Sequence, residues 1–151
     1  MTEIKIGSPA PAIDARDQNG ERITLSEYLG KKVVLYFYPK DNTPGCTAEA
    51  CDLRDNYSRL QAAGYEVIGV SADSEKSHRS FIEKHQLPFR LISDTEKKVL
   101  QDYGAWGEKK MYGKTYMGII RKTILIDEKG LVENIIEKVK TKAHTAQIIP
   151  D

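Results

Sequence analysis

Six consecutive apolar residues, Val33-Val34-Leu35-Tyr36-Phe37-Tyr38, follow Lys32 and stop at Pro39. A run without polar alternation does not suit a sheet with one wet face; it suits a strand covered on both faces. Proline has no N–H to give to a ladder, so the strand ends there. Six residues also fall far short of the roughly 18 that span a bilayer. Such a strand needs cover above and below, and the rest of the chain is patterned to supply it.

Residues 44–62 read as one helix. Cys46, Ala50, Leu53, Tyr57 and Leu60 recur at spacings of four, three, four and three, forming a single apolar stripe. Gly64 is placed to cap its end. Residues 66–70 form a second buried strand, and Asp73 or Ser74 caps a helix reaching about residue 85. A third strand covers 89–92, and Asp94 caps a short helix to about 103. Residues 104–117, rich in Gly, Lys and Tyr, predict an extended loop. Residues 121–126 and 131–136 flank the turn 127–130 as an antiparallel hairpin, and a short last helix over 143–149 ends at Pro150. Upstream, residues 1–30 are rich in turn formers, and Asn19-Gly20 fits a hairpin turn between short strands.

The order β-α-β-α-β-α-β-β-α predicts an α/β fold with parallel strands early and an antiparallel edge late. That is a central mixed sheet flanked by helices on both faces, with an N-terminal hairpin extension. It is compatible with a thioredoxin-like fold without singling one out. At 151 residues the chain is expected to form one domain, 1–151. Lys and Arg number 23 against 22 Asp and Glu, a net charge of +1, which argues against nucleic acid or a membrane surface as partner. Residues 1–7 carry Glu3 and Lys5 and no apolar core, so no secretory signal is read, and a cytoplasmic, reducing setting is expected.

In such a setting the two cysteines, Cys46 and Cys51, suit catalysis or redox sensing better than a structural staple. They are too few for a structural zinc site, and His78, His85 and His144 stand at no ligand spacing from them, so no metal is expected. Cys46 lies just after the buried strand, where sites form in open α/β sheets. Thr43-Pro44 resembles an N-cap followed by proline at the first helical position, which makes Cys46 the third helical residue. Unpaired N–H groups and the positive end of the helix dipole there favour thiolate, the reactive form. The Thr43 hydroxyl is in reach to donate to that sulfur or to a bound oxygen. The plainer alternative is that Cys46 is a small core residue on an apolar stripe.

Cys51 follows five positions later, rotated about 140° and displaced about 7.5 Å along an intact helix. The Cα atoms are then roughly 8–9 Å apart, beyond the disulfide reach of about 7 Å. The pair can bond only if the first turns unwind, and Pro44 and Gly45 weaken that turn. The alternative is an inert, half-buried thiol.

Pro39, Thr43 and Cys46 match the Pro-x-x-x-Thr-x-x-Cys signature of peroxiredoxins. The wider run from Tyr36 through Cys51 resembles the bacterioferritin comigratory protein (Bcp/PrxQ) subfamily. Matching segments also include Val70-Ser71-Ala72-Asp73, Trp106-Gly107-Glu108-Lys109 and Arg121 ahead of Ile124-Leu125-Ile126-Asp127, so the likeness spans nearly the whole chain. The resemblance implies a thioredoxin-like fold and a cofactor-free thiol peroxidase of antioxidant defence. It would act on hydrogen peroxide and organic hydroperoxides, be recycled by thioredoxin or a similar dithiol, and work as a monomer.

By position, the resemblance makes Cys46 the peroxidatic cysteine and Cys51 the resolving one. Thr43 would hydrogen-bond sulfur and peroxide, Pro39 would keep water out, and Arg121 would hold the thiolate and polarise the peroxide in a pocket bounded by Gly45. The tail 143–151 is shorter than the family's usual last helix. Taken alone, Arg121 reads as a surface charge beside an edge strand. Glu49 reads as an Arg contact, a helix-start residue or a solvated side chain. Trp106 reads as packing, and Lys40, Lys109, Lys110 and Lys114 as solvated surface. His78 and His85 fall in a polar helix with no assigned role. A thioredoxin-like disulfide oxidoreductase would carry two residues between its cysteines, and four stand here. A redox sensor whose disulfide changes helix order is the remaining rival.

Overall fold

The apolar run forms strand β3 (Lys32–Phe37), the middle strand of a five-stranded sheet. A computed structural model describes residues 4–149; Pro150, the expected end of the last helix, lies outside the described residues. Alternate residues of β3 part to opposite faces. Val33, Leu35 and Phe37 enter one apolar cluster, and Val34, Tyr36 and Tyr38 the other.

The sheet runs in the order β5 (Arg90–Ser93), β4 (Tyr65–Ser71), β3, β8 (Lys122–Ile126), β9 (Val132–Ile136). β3, β4 and β5 are mutually parallel, while β8 runs antiparallel to β3 and β9 antiparallel to β8. Right-handed crossovers that step in one direction place their helices on one face. Accordingly α1 (Pro44–Asp55), α2 (Tyr57–Ala62) and α3 (Glu75–His85) bury Ala50, Leu53, Leu60 and Phe81 on the same side, joined by Ile148 of α5 (His144–Ile148). The other face is covered by α4 (Lys98–Asp102), a 3-10 turn over Leu25–Tyr28 and the hairpin of β1 (Asp14–Arg16) and β2 (Arg22–Thr24). This is the thioredoxin-like arrangement, with helices on both faces and the N-terminal hairpin extension. No helix among the described residues is long and apolar enough to cross a membrane.

Two expected elements take a different form. The helix over 44–62 is interrupted at Asn56, whose side-chain Nδ2 donates to the Asp52 carbonyl at 2.8 Å. An asparagine that bonds the backbone of the preceding turn competes with helix continuation. The expected loop 104–117 is instead a hairpin, β6 (Trp106–Met111) and β7 (Lys114–Ile119). Its turn places Tyr112 and Gly113 at φ 53° and 77°, the positive pair that a tight two-residue hairpin requires. Most of this ribbon is exposed, so no apolar alternation marks it in the sequence. The caps fall as expected: Ser74 accepts from Ser77 N–H at 3.1 Å, and Asp94 takes the N–H groups of Lys98 and Leu100.

Gly69 lies at the centre of β4, paired with Tyr36. A Cβ there would stand 2.7 Å from Leu91 Cδ2 and 2.9 Å from the Tyr36 ring. The missing side chain leaves room for the Tyr36 ring in the cluster it shares with Cys46, Ala50 and Leu53 of α1. Gly69→Ala is therefore expected to cost about 1–3 kcal/mol through overpacking, read from the urea midpoint against the parent protein; an unchanged midpoint would contradict this packing.

Candidate active site

The antiparallel register pairs Phe37 with Lys122, so Arg121 stands at the carboxyl end of β3 where the chain turns toward α1. That topology brings together residues 75 positions apart. Cys46 is the third residue of α1 and only 1% exposed. It belongs to the apolar cluster beneath α1, yet its sulfur is not inert packing. Arg121 Nη2 donates to Cys46 Sγ at 3.2 Å, and Arg121 Nη1 donates to Glu49 Oε1 at 2.6 Å. A guanidinium offers rigid parallel donors, and a sulfur anion accepts them better than a thiol does. Arg121 is thus a half-buried cation between sulfur and carboxylate, not a surface charge. Its burial disfavours the charge, but Cys46 and Glu49 outweigh that and raise its pKa above the usual arginine range. A Cβ on Gly45 would come within 3.4 Å of Nη2, so glycine keeps the space before the guanidinium open.

Thr43 occupies the N-cap of α1 with extended backbone, and Pro44 follows at the first position, as the sequence suggests. Its hydroxyl donates to the Lys40 carbonyl at 2.8 Å rather than to the sulfur. Pro39 is half-buried at the head of the loop. Between them, Asp41 is buried and tightly bound. Its carboxylate accepts from the Tyr38 hydroxyl at 2.6 Å and the Ser77 hydroxyl at 2.8 Å, and meets His78 Nδ1 at 2.7 Å. His78 Nε2 faces the Ile92 carbonyl at 2.9 Å. A carbonyl only accepts, so Nε2 is the nitrogen that carries a hydrogen toward it. This network pins the loop to α3 and β5. The signal for it was present: His78 stands with Phe81, Ile82 and His85 at helical spacing, on the inward stripe of α3.

Behind Arg121, the Arg contact that the sequence allows for Glu49 is formed, and His144, which the sequence does not mark, backs it. Glu49 is fully buried, and its Oε2 has no hydrogen-bond partner among the described residues. His144 Nε2, from the short α5, lies 3.6 Å from it. That ring bonds Thr123 Oγ1 at 2.7 Å and Gln147 Oε1 at 2.8 Å. Burial pushes Glu49 up to about 7 despite Arg121, and burial holds His144 below the ordinary imidazole range. The last helix, though short, therefore reaches the site.

Cys51 is not brought to Cys46. Both thiols are free, and α1 is continuous from Pro44 to Asp55 between them. Cys51 is half-buried, with Sγ 3.9 Å from His85 Nδ1. Trp106 packs against the core under Lys97, whose Nζ lies 5.2 Å from the ring centre.

A helix-start cysteine gripped by an arginine from the antiparallel neighbour strand is a candidate thiol redox site on a thioredoxin-like fold. The AhpC/TSA family model matches residues 6–135. Peroxiredoxin Bcp of Bacillus subtilis is 48% identical over 146 residues, covering 97% of this chain and 93% of its own. Peroxiredoxin Bcp of Escherichia coli is 44% identical over 144 residues, covering 95% and 92%. The solved structure of Xanthomonas campestris peroxiredoxin Q gives a TM-score of 0.88 at 36% identity, over 97% of this chain and 94% of that one. A structure of the Xanthomonas campestris bacterioferritin comigratory protein, studied for alkyl peroxide reduction, gives 0.85 at 37% identity over 90% and 87%. The chain belongs to the AhpC/TSA family, alongside peroxiredoxins of the Bcp and Q type, and is a thiol peroxidase.

The buried carboxyl sets a pH dependence. Glu49 is raised from 4.5 to about 7 in the fold, so its contribution to stability is full below pH 4.5 and lost as pH rises through 7. The loss amounts to about 3 kcal/mol. His144 acts in the opposite sense, losing its contribution as pH falls below about 6.5. Comparing Glu49→Gln with the parent isolates the first effect. Urea unfolding at pH 5 and pH 8 is expected to show the variant gaining on the parent at pH 8; a constant difference across that range would contradict the assignment.

Proposed function

We propose that this peroxidase reduces hydrogen peroxide and organic hydroperoxides through Cys46, with Cys51 resolving the product. The observation that carries the reading is the 3.2 Å contact from Arg121 Nη2 to the Cys46 sulfur. Heterolysis of a peroxide moves negative charge from sulfur to the departing oxygen. A fixed cation beside the sulfur, with the N–H groups opening α1, stabilises charge at both places without reorganising. The Cys46 thiolate attacks one oxygen, the O–O bond breaks, and the other oxygen leaves as alkoxide or hydroxide and takes a proton. Cys46 becomes a sulfenic acid. Thr43, at the N-cap, turns its hydroxyl to the bound oxygen, Pro39 limits water, and Gly45 leaves room for the substrate. No metal or organic cofactor enters.

The same contact couples oxidation to unfolding. A hydrogen bond to a charged group contributes about 1.5–3 kcal/mol, roughly twice a neutral one. Sulfenic acid formation neutralises the sulfur and removes that share from the first turns of α1. Those turns begin with Pro44 and Gly45, which form helix poorly in their own right. Once they open, Cys46 can reach Cys51; the S–O bond breaks, an S–S bond forms and water leaves. A dithiol such as thioredoxin then restores both thiols by exchange. Two free cysteines used in this way suit a monomer in a reducing cytoplasm.

Stopped-flow oxidation by hydrogen peroxide tests the scheme. Cys46→Ser is expected to lose all turnover. Cys51→Ser is expected to consume one equivalent quickly and then turn over poorly with thioredoxin. Arg121→Met is expected to slow the first oxidation by roughly 10²–10³-fold, the usual loss of one charge-stabilising donor. Steady-state activity in Cys46→Ser at the parent level would end the assignment.

A further inference from the structure

The carboxyl half of α1 is fastened independently of the Cys46 sulfur. Asp52 Oδ2 accepts from the backbone N–H and the hydroxyl of Thr145 at 2.7 and 2.8 Å, and Arg54 Nη1 donates to the His85 carbonyl at 2.7 Å. Cys51 sits at the inner edge of this fastened half, so it stays in place while Cys46 swings out. What it stays beside is His85, the last residue of α3. Cys51 Sγ and His85 Nδ1 are 3.9 Å apart, a long hydrogen-bond distance for sulfur. The ring is held edge-on against buried Phe81, with centroids 5.3 Å apart and planes at 78°.

We propose that His85 is a catalytic base for the second step, taking the Cys51 proton as that sulfur attacks the Cys46 sulfenic acid. The proposal rests on the reading of Cys51 as the resolving thiol. The S–H bond of Cys51 breaks and its proton passes to Nδ1. The sulfur's electron pair forms the S–S bond, the S–O bond of Cys46 breaks, and the departing hydroxide regains the proton to leave as water. Cys51 sulfur is oxidised and Cys46 sulfur reduced, so the step needs no further reactant.

The surroundings suit the role. Arg54 on α1 and Lys84 on α3 are the charged neighbours of His85, with Asp55 beside Arg54. Partial burial, then Lys84 and Arg54, hold the imidazole below its ordinary range, leaving it unprotonated at neutral pH. Arg54 also lies near enough to Cys51 for the two to interact electrostatically.

Rapid-quench mass spectrometry after one equivalent of hydrogen peroxide separates the two steps. In His85→Gln, the Cys46–Cys51 disulfide is expected to form roughly 10-fold more slowly at pH 7, below the usual gain from a general base because thiols ionise easily. At about pH 9.5, above the ordinary thiol pKa of about 8.5, the gap is expected to close. Loss of the Cys46 thiol, which reports the first step, is expected to keep its rate. His85→Asn is measured alongside, so a folding defect in one replacement does not decide the result. Disulfide formation at the parent rate at pH 7, or a deficit undiminished at high pH, overturns the role of His85 alone. Absence of a Cys46–Cys51 disulfide in the parent protein overturns the resolving role itself and this proposal with it.

Discussion

A buried sulfur proposed to carry negative charge needs a cation within reach, and here the sheet brings one to it. The Cys46 sulfur is almost wholly out of water, where an unpaired charge is costly. Arg121 meets it because β8 runs antiparallel to β3 and begins where β3 ends. Glu49 holds the far nitrogen of the guanidinium, and His144 backs Glu49. Removing one partner from such a buried set leaves the others uncompensated, which is why its members act as a unit. The loop before α1 is pinned separately, through Asp41 and His78, so the helix start is placed from both sides.

The consequence is a helix with two different kinds of support. In the proposed cycle the reaction consumes one contact of its amino-terminal turns, that of Arg121 with the Cys46 sulfur. Its carboxyl-terminal turns are held by Asp52, Leu53 and Arg54, none of which the chemistry touches. A uniformly stable helix would keep the two thiols apart, and a uniformly weak one would not seat Cys46 against Arg121. In the proposed cycle, a boundary beside Cys51 lets one sulfur travel while the other waits.

Most of the sheet was legible because its strands are apolar runs between strong breakers: Pro39 after β3, Gly64 before β4 and the Asp127–Gly130 turn before β9. Cys46, Thr43 and Pro44 were legible because helix starts have local chemistry. What escaped was long-range or polar. The β6–β7 ribbon is wet on most of its surface and leaves no period to read. The break at Asn56 turns on one side-chain bond. His144 looks like a solvated residue on paper, and Glu49 reads equally as an Arg contact or a solvated side chain, since nothing local states that each will be buried; His78 is marked only by its place on the inward stripe of α3. The hydroxyl of Thr43 was expected at the sulfur and bonds the Lys40 carbonyl instead, a choice between two nearby acceptors that sequence does not encode.

In the proposed cycle, oxidising one sulfur loosens one half of one helix. Hydrogen exchange of the reduced protein and of its disulfide form reads this directly. The expected result is loss of amide protection across 44–50, with protection kept in 52–55 and in β4. Equal protection of 44–50 in both forms would contradict it.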